Sequence, residues 1–221
     1  MESFAQLCAN LAPWAASVVF LAPYPTIQKI MSEKSVGNLP LMPYTSMIGS
    51  AFLWATYGVL KSDVRIWSTN VVGLVLGLYY FFSFCRHAPK SSPTLPGSLM
   101  AHVQVILAIV CGTSLVATMS PSTNVATRII GFGSVCLSVA LFGSPLSVLK
   151  VVLETKSAAS IPLPFTIACF INCFLWSVFG VAVAHDVYVI VPNVLGFIFS
   201  IVQIGLKLKF GDSSKFSALP T

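Results

Sequence analysis

The stretch "AFLWATYGVL" occupies Ala51–Leu60, and "CFLWSVFGVA" occupies Cys173–Ala182. Both place Phe-Leu-Trp ahead of an aromatic residue, Gly and Val. The shift of 122 places that superposes them carries other residues along without a gap. Phe20 falls on Phe142, Pro23 on Pro145, Lys34-Ser35 on Lys156-Ser157, Pro40 on Pro162, Trp54 on Trp176 and Gly58 on Gly180. One residue is then inserted. At a shift of 123, Asp63 meets Asp186, Asn70 meets Asn193 and Gly73 meets Gly196. The matches include polar and helix-breaking residues, which packing alone does not favour. The chain therefore reads as an internal repeat.

The surroundings of the repeat fix its solvent. Of 221 residues, 56% are hydrophobic and 8% are charged. A soluble domain carries about a quarter charged residues, so this chain cannot cover itself in water and is expected to be an integral membrane protein. About 20 apolar residues cross a bilayer. Seven such runs stand out, at 7–29, 39–60, 66–86, 99–119, 126–150, 161–183 and 187–208. The fold class expected is all-α, with three spans in each copy of the repeat and the fourth span as a linker (3+1+3). The corresponding segments are 1–90, 91–122 and 123–209, followed by a polar cytoplasmic tail, 210–221. The longest loop, Arg86–Ser98, is rich in Pro and Ser and reads as a linker. Copies that begin four spans apart share one orientation, a parallel repeat known among transporters, with the substrate site between the halves.

The basic residues orient the chain. Lys29, Lys34, Arg86, Lys90, Lys150, Lys156, Lys207, Lys209 and Lys215 fall on one side, against Lys61, Arg65 and Arg128 on the other. The positive-inside rule places the C-terminus in the cytoplasm and the N-terminus outside or in a lumen. The net charge of +6 is scattered singly between apolar runs, which argues against a nucleic-acid partner. The first charge is Glu2, with no Lys or Arg before the apolar run, so the first span does not read as a cleaved signal peptide. Six cysteines form no CxxC and no zinc-like spacing. Cys169 and Cys173 share a helix face at i, i+4, where helical geometry disfavours a disulfide. Cys85 lies at a helix end, a weak candidate for palmitoylation.

Several matched residues suit a polyol. At about 1.5 Å per residue, Trp54 lies roughly 9 Å from the outer end of its span and Asn70 roughly 6 Å from the outer end of its own. Trp176 and Asn193 lie at comparable depths. An indole offers a flat face to sugar C–H groups, and an amide donates and accepts toward hydroxyls. Read singly, such a Trp is an interfacial anchor and such an Asn interhelical glue; as two matched pairs they read as a substrate site. Pro23 and Pro145 lie well inside their spans and read as hinges. Pro40, Pro43, Pro162 and Pro164 open spans two and six, where a first-turn proline is ordinary. Tyr57, Asp63 and Asp186 sit at the outer rim as gate candidates, the carboxylates equally as solvated loop charges. Gly73 and Gly77 read as close helix packing.

The absences narrow the mechanism. No Asp, Glu, Lys or Arg lies deep in a span, where a proton-coupled carrier keeps its relay; His102, near a helix start, reads as structural. No phosphate loop supports ATP-driven pumping. No nucleophile–base constellation points to an enzyme, and nothing calls for a cofactor or a metal.

These residues together resemble the SWEET (MtN3/saliva) family of sugar transporters over about residues 5–210. The carrying stretches are "FLAPYPTIQKI", "SEKSVGNLPLMPY", "LWATYGVLKSD", "NVVG", "FGSPLSVLKVVLETKS", "IPLPF", "FLWSVFG" and "VPNVLG". The resemblance implies two parallel three-helix bundles joined by an inversion linker helix, which rock about a central sugar. It implies a pocket from Asn70, Asn193, Trp54 and Trp176. Trp54 resembles the animal-type pattern, where several plant members carry a small residue, and a bulkier pocket is expected to favour monosaccharides over sucrose. The family's proline tetrad maps to Pro23, Pro145, Pro162 and one proline of span two. Repeat spacing points to Pro40, whereas the distance to Tyr57-Gly58 points to Pro43, which is preferred. The outer gate resembles Tyr57 with Asp186, and Phe179 departs from the pattern where a Tyr is common. The expected partners are a small sugar, the lipid bilayer and further copies of the chain, as in family trimers. The membrane is expected to be the plasma membrane or an endomembrane such as Golgi or vacuole. Two rivals stand beside this reading. A proton-coupled PQ-loop exporter needs a Pro-Gln pair and a membrane acid, and a seven-span receptor needs motifs that this chain lacks.

Overall fold

A computed structural model of the chain describes residues 2–88, 99–141 and 143–212, without the side chains of 143–145. The linker stretch 89–98, Phe142, the side chain of Pro145 and the tail from 213 onward lie outside the described residues. The described residues form helices α1 (Glu2–Leu21), α2 (Tyr24–Glu33), α3 (Met42–Leu60), α4 (Val64–His87), α5 (Leu99–Met119), α6 (Thr123–Leu141), α7 (Gly143–Thr155), α8 (Leu163–Phe179) and α9 (Val187–Phe210), with a π-helical turn at Gly180–Ala184.

Proline explains where the first expected span divides. Pro23 has no N–H to continue α1. The last turn of α1 tightens, with Ala22 N–H on Val19 O at 3.2 Å, and α2 restarts with Ile27 N–H on Pro23 O at 3.1 Å. The hydroxyl of Tyr80 in α4 donates to the Phe20 carbonyl at this break, at 3.1 Å. The fifth span, expected as one run over 126–150, is covered by α6 up to Leu141 and α7 from Gly143, with Phe142 between them outside the described residues. Helix α3 begins at Met42, later than expected, because Gly37 adopts a positive φ of 52° and Pro40 lies in the loop.

Six stretches are long and apolar enough to cross a membrane by length and composition: Glu2–Glu33, Val64–His87, Leu99–Met119, Thr123–Thr155, Leu163–Ala184 and Val187–Phe210. The sequence suggests seven, and the difference is α3. Its 19 residues carry Tyr44, Thr45, Ser46, Ser50, Thr56 and Tyr57, and these hydroxyls lower its hydropathy. Helix α3 compensates by facing protein. Tyr44, Thr45, Ile48, Gly49, Ala51, Ala55, Tyr57 and Gly58 are all buried. The other helices turn large apolar side chains outward, among them Trp14, Phe82, Phe132 and Ile198, as expected where lipid is the solvent.

The chain divides into two compact units, Ala16–Ser134 and Val135–Thr221 with Met1–Ala15. In the first unit α3 packs on α4 and α5, and α2 packs on α4. Its core joins Ile27, Ile30, Val36, Leu41, Tyr44, Ile48, Tyr80, Phe81 and Phe84. Thr45 Oγ1 and His102 Nδ1, both buried, lie 2.8 Å apart and tie α5 to α3. In the second unit α9 packs on α8 and α7, over a small core of Val152, Ala158 and Ile161. At the shift of 122 places, Val152 and Ala158 take the positions of Ile30 and Val36.

Candidate functional site

The opening decapeptides each end a helix and turn into the next, and the two turns are built alike. Gly58 lets α3 approach α4. A Cβ there would lie 2.5 Å from Trp67 N and 2.9 Å from Ile66 Cγ2, closer than atoms pack. Gly180 does the same for α9, where a Cβ would lie 2.9 Å from Ile190 Cγ1 and 3.3 Å from Ile190 N. Trp67 and Ile190 correspond at the shift of 123. After each helix one residue takes the left-handed conformation, Ser62 (φ 55°) and His185 (φ 48°). The aspartate that follows returns its N–H to the glycine carbonyl: Asp63 to Gly58 O at 2.9 Å, Asp186 to Gly180 O at 3.0 Å. The second copy closes this ring with one more residue. It does so by winding Gly180–Ala184 as a π-helix, with the His185 N–H also on Gly180 O. The wider i→i+5 turn takes up the insertion.

The gate candidates acquire a definite structural role here. Asp63 caps α4, accepting from Arg65 N–H at 2.9 Å and Ile66 N–H at 3.3 Å. Asp186 caps α9, accepting from Tyr188 N–H at 3.0 Å. These carboxylates satisfy orphan helix N–H groups and favour the positive end of the dipole. Asp186 is also 4% exposed, so it is not a solvated loop charge. The sequence held the cap signal, an Asp directly before an apolar periodic run.

The indoles keep one geometry in both copies. The Trp54 and Tyr57 rings meet edge-to-face, with centroids 5.6 Å apart and planes at 86°. Trp176 and Phe179 repeat the contact at 5.4 Å and 87°. Tyr57 and Phe179 are fully buried, Trp176 is buried and Trp54 half-buried. Phe179 therefore preserves the ring contact of its counterpart while lacking the hydroxyl.

The amides also match. Asn70 Nδ2 donates to Ile66 O and Asn193 Nδ2 donates to Val189 O, both at 2.8 Å. Each amide is locked to its own helix by an i→i−4 bond. A carbonyl only accepts, so the NH₂ group must face it, and Oδ1 with the second N–H is presented elsewhere. Both side chains are half-buried.

One residue of this group escaped the sequence reading. Asn172 lies one turn before Trp176 on the same face, and its buried Oδ1 has no hydrogen-bond partner. A lone amide in the run "CFINCFLW" was the available signal; its counterpart at a shift of 122 is Ser50, so no exact match marked it.

The prolines separate by position. Pro23 marks the α1–α2 break. Pro43 stands at the second residue of α3, as Pro164 does in α8, whereas Pro162 caps α8 and Pro40 precedes α3. Pro43 and Pro164 therefore share a position relative to their helix starts, although at the shift of 122 Pro43 meets Phe165. Gly73 abuts the Phe20 ring, where a Cβ would lie 2.7 Å from it, and Gly77 abuts Ile48.

Comparison with known proteins follows the same division. The family model described as "Sugar efflux transporter for intercellular exchange" (MtN3_slv) matches residues 11–92 and 128–214. The chain is 29% identical over 194 residues to the bidirectional sugar transporter SWEET15 of Oryza sativa subsp. indica, covering 87% of this chain and 60% of that protein. It is 31% identical over 208 residues to the bidirectional sugar transporter SWEET9 of Arabidopsis thaliana, covering 92% and 78%. It is 27% identical over 210 residues to the sugar transporter SWEET1 of Dictyostelium discoideum, covering 93% and 92%. The chain thus spans about 60% of the length of the rice relatives. A eukaryotic SWEET transporter solved at 3.7 Å superposes with a TM-score of 0.79 at 22% identity, over 94% of this chain and 98% of that one. That likeness shows the fold.

Proposed function

The chain belongs to the SWEET (MtN3/saliva) family, and we propose that it is a bidirectional facilitative sugar transporter. It is an integral membrane protein that crosses the bilayer several times. The observation that carries the reading is the repeated pair of an indole braced edge-on by a buried ring and an amide locked to its own helix. Trp54 with Asn70, and Trp176 with Asn193, supply apolar faces for sugar C–H groups and fixed acceptors for hydroxyls. Asn172, with its unpartnered Oδ1, adds a polar contact beside Trp176. None of these groups titrates near neutrality, which suits a neutral polyol moving down its own gradient.

The working architecture is 3+1+3. The two stretches matched by the family omit 93–127, the region of α5, which supports α5 as the linker between copies 1–90 and 123–209. The sugar alternates between sides as the bundles rock. Pro23, Pro43, Pro145 and Pro162 supply the hinges, a reading supported by the α1–α2 break at Pro23. Tyr57, Asp63 and Asp186 close the outer end. The bulk of Trp54 favours a glucose-type monosaccharide over sucrose. The basic residues place the C-terminus in the cytoplasm, and the protein assembles as a homo-oligomer in the plasma membrane or an endomembrane.

Uptake of labelled glucose into proteoliposomes, with and without an imposed pH gradient, tests the reading. Saturable uptake indifferent to pH and lost in Trp176→Ala supports it. Uptake that requires the gradient points instead to a proton-coupled exporter. Sucrose uptake equal to that of glucose would sink the monosaccharide preference alone.

A further inference from the structure

At the basic ends of the units the two copies again correspond, but here they diverge. In the second copy the corner is closed by the chain's own groups. Lys156 turns at a positive φ of 54°. Lys207, in the last turn of α9, donates to Ala158 O at 2.9 Å and pairs with the carboxylate of Asp212. The ammonium groups of Lys156 and Lys209 stand 5.6 and 5.3 Å from the centroid of the Phe210 ring. A carboxylate and an aromatic face thus satisfy the local cations.

In the first copy Lys34 makes the same left-handed turn, at φ 51°. At the shift of 123, Arg86 replaces Lys209, His87 replaces Phe210 and Ala88 replaces Gly211. Phe84 stands in the place of Lys207 and Pro89 in that of Asp212, so the first copy lacks both members of that ion pair; what differs for Lys34 and Arg86 is that His87 replaces the aromatic ring that Lys156 and Lys209 face. Lys34, Ser35, Arg86, His87 and Ala88 line an open recess of about 590 Å³. Neither Lys34 nor Arg86 pairs with a carboxylate among the described residues. Glu33, the neighbour of Lys34 in the chain, pairs with Lys29 at 3.8 Å. His87 Nδ1 lies 2.8 Å from Ser83 O, so that nitrogen holds the proton and Nε2 is left for another partner.

We propose that this recess binds a phosphate monoester, which meets Lys34 and Arg86 where the second copy offers their counterparts the Phe210 ring. A guanidinium takes two phosphate oxygens at once, an ammonium adds a point charge, and the Ser35 hydroxyl can donate. The recess exceeds a bare phosphate and has room for a ring attached to it. It lies at the end assigned to the cytoplasm, where anionic headgroups concentrate. Two carriers share this chemistry: an inositol-phosphate lipid headgroup and a soluble sugar phosphate. The proposal is independent of the sugar-transport reading.

The test uses the full chain in phosphatidylcholine nanodiscs, titrated by calorimetry with glucose 6-phosphate and, separately, with short-chain phosphatidylinositol 4-phosphate. Saturable binding of one of them is expected, weakened about tenfold or more in Lys34→Gln/Arg86→Gln, since a hydrogen bond to a charged group contributes at least about a tenfold factor. The mirror variant Lys156→Gln/Lys209→Gln should bind as the parent does. Arg86→Lys, which keeps the charge and loses the fork, should fall between. Binding of the sugar phosphate assigns a soluble ligand; binding of the short-chain lipid alone assigns the headgroup. Binding of neither overturns the proposal, as does equal weakening in both double variants, which would mark general basic charge.

Discussion

At the end of α3 the chain passes from Gly58 to Asp63 and closes a hydrogen bond between them; at the end of α8 it passes from Gly180 to Asp186 and closes the same bond. The second passage is one residue longer. Everything around the extra residue is held constant: the close approach at the glycine, the left-handed residue, the aspartate cap, and the edge-to-face rings one turn earlier. The difference sits entirely in the π-helical turn Gly180–Ala184. The comparison teaches that the geometry of indole, ring and amide is what the two copies preserve, and that backbone winding adjusts to keep it.

Removing an amide should have the largest effect on this equivalence. Asn70→Ala and Asn193→Ala are each expected to lower sugar uptake about tenfold or more, the scale of one lost buried hydrogen bond to substrate plus its unpaired partner. Normal uptake by correctly inserted Asn193→Ala would remove that residue from the proposed site and break the symmetry there. The glycines sharpen the comparison next. Gly58→Ala drives a Cβ toward backbone nitrogen and should cost about 3 kcal/mol, the upper part of the overpacking range. Gly180→Ala meets Ile190 Cγ1 at 2.9 Å and backbone nitrogen only at 3.3 Å, a looser fit, and should cost about 1 kcal/mol by the same rule. Thermal unfolding in detergent reads both, and the reverse order would show that the second corner is the tighter one. The caps come third: Asp63→Ala and Asp186→Ala should each cost about 1 kcal/mol. Equal unfolding temperatures for parent and variants would deny the caps any weight. Deleting Val183 should have the smallest effect on stability, because the first copy closes its turn with one residue fewer. A shift within about 3 °C is expected for a chain of this size. Loss of the fold would show that the π-turn does more than absorb one residue.

Most of the architecture was legible in the chain. The apolar runs, the repeat and the site of its insertion follow from residue identities and spacing. What spacing could not reveal was the conformational answer to the insertion, because a loop one residue longer and a π-turn look alike in sequence. The break at Pro23 was legible because a proline lacks an N–H. That the Tyr80 hydroxyl would reach Phe20 O was not, since it joins residues 60 positions apart. The count of spans differed for a physical reason: α3 carries hydroxyls that only burial against α4 and α5 makes tolerable. At the candidate site, Trp54, Asn70, Trp176 and Asn193 announced themselves by repetition. Asn172 did not, because its counterpart is Ser50, and a search for identity passes over a pair that shares only polarity.

The bond from each asparagine to its own helix carries a consequence for ligand design. With Nδ2 held on Ile66 O or Val189 O, neither amide can flip without setting oxygen against oxygen. Whatever meets Oδ1 must bring a hydrogen. A fluorine in place of a hydroxyl has nearly the same size but brings none. For the proposed site, singly fluorinated glucoses therefore become a positional probe: sugars whose transport collapses on fluorination would identify the hydroxyls that the two oxygens are proposed to read.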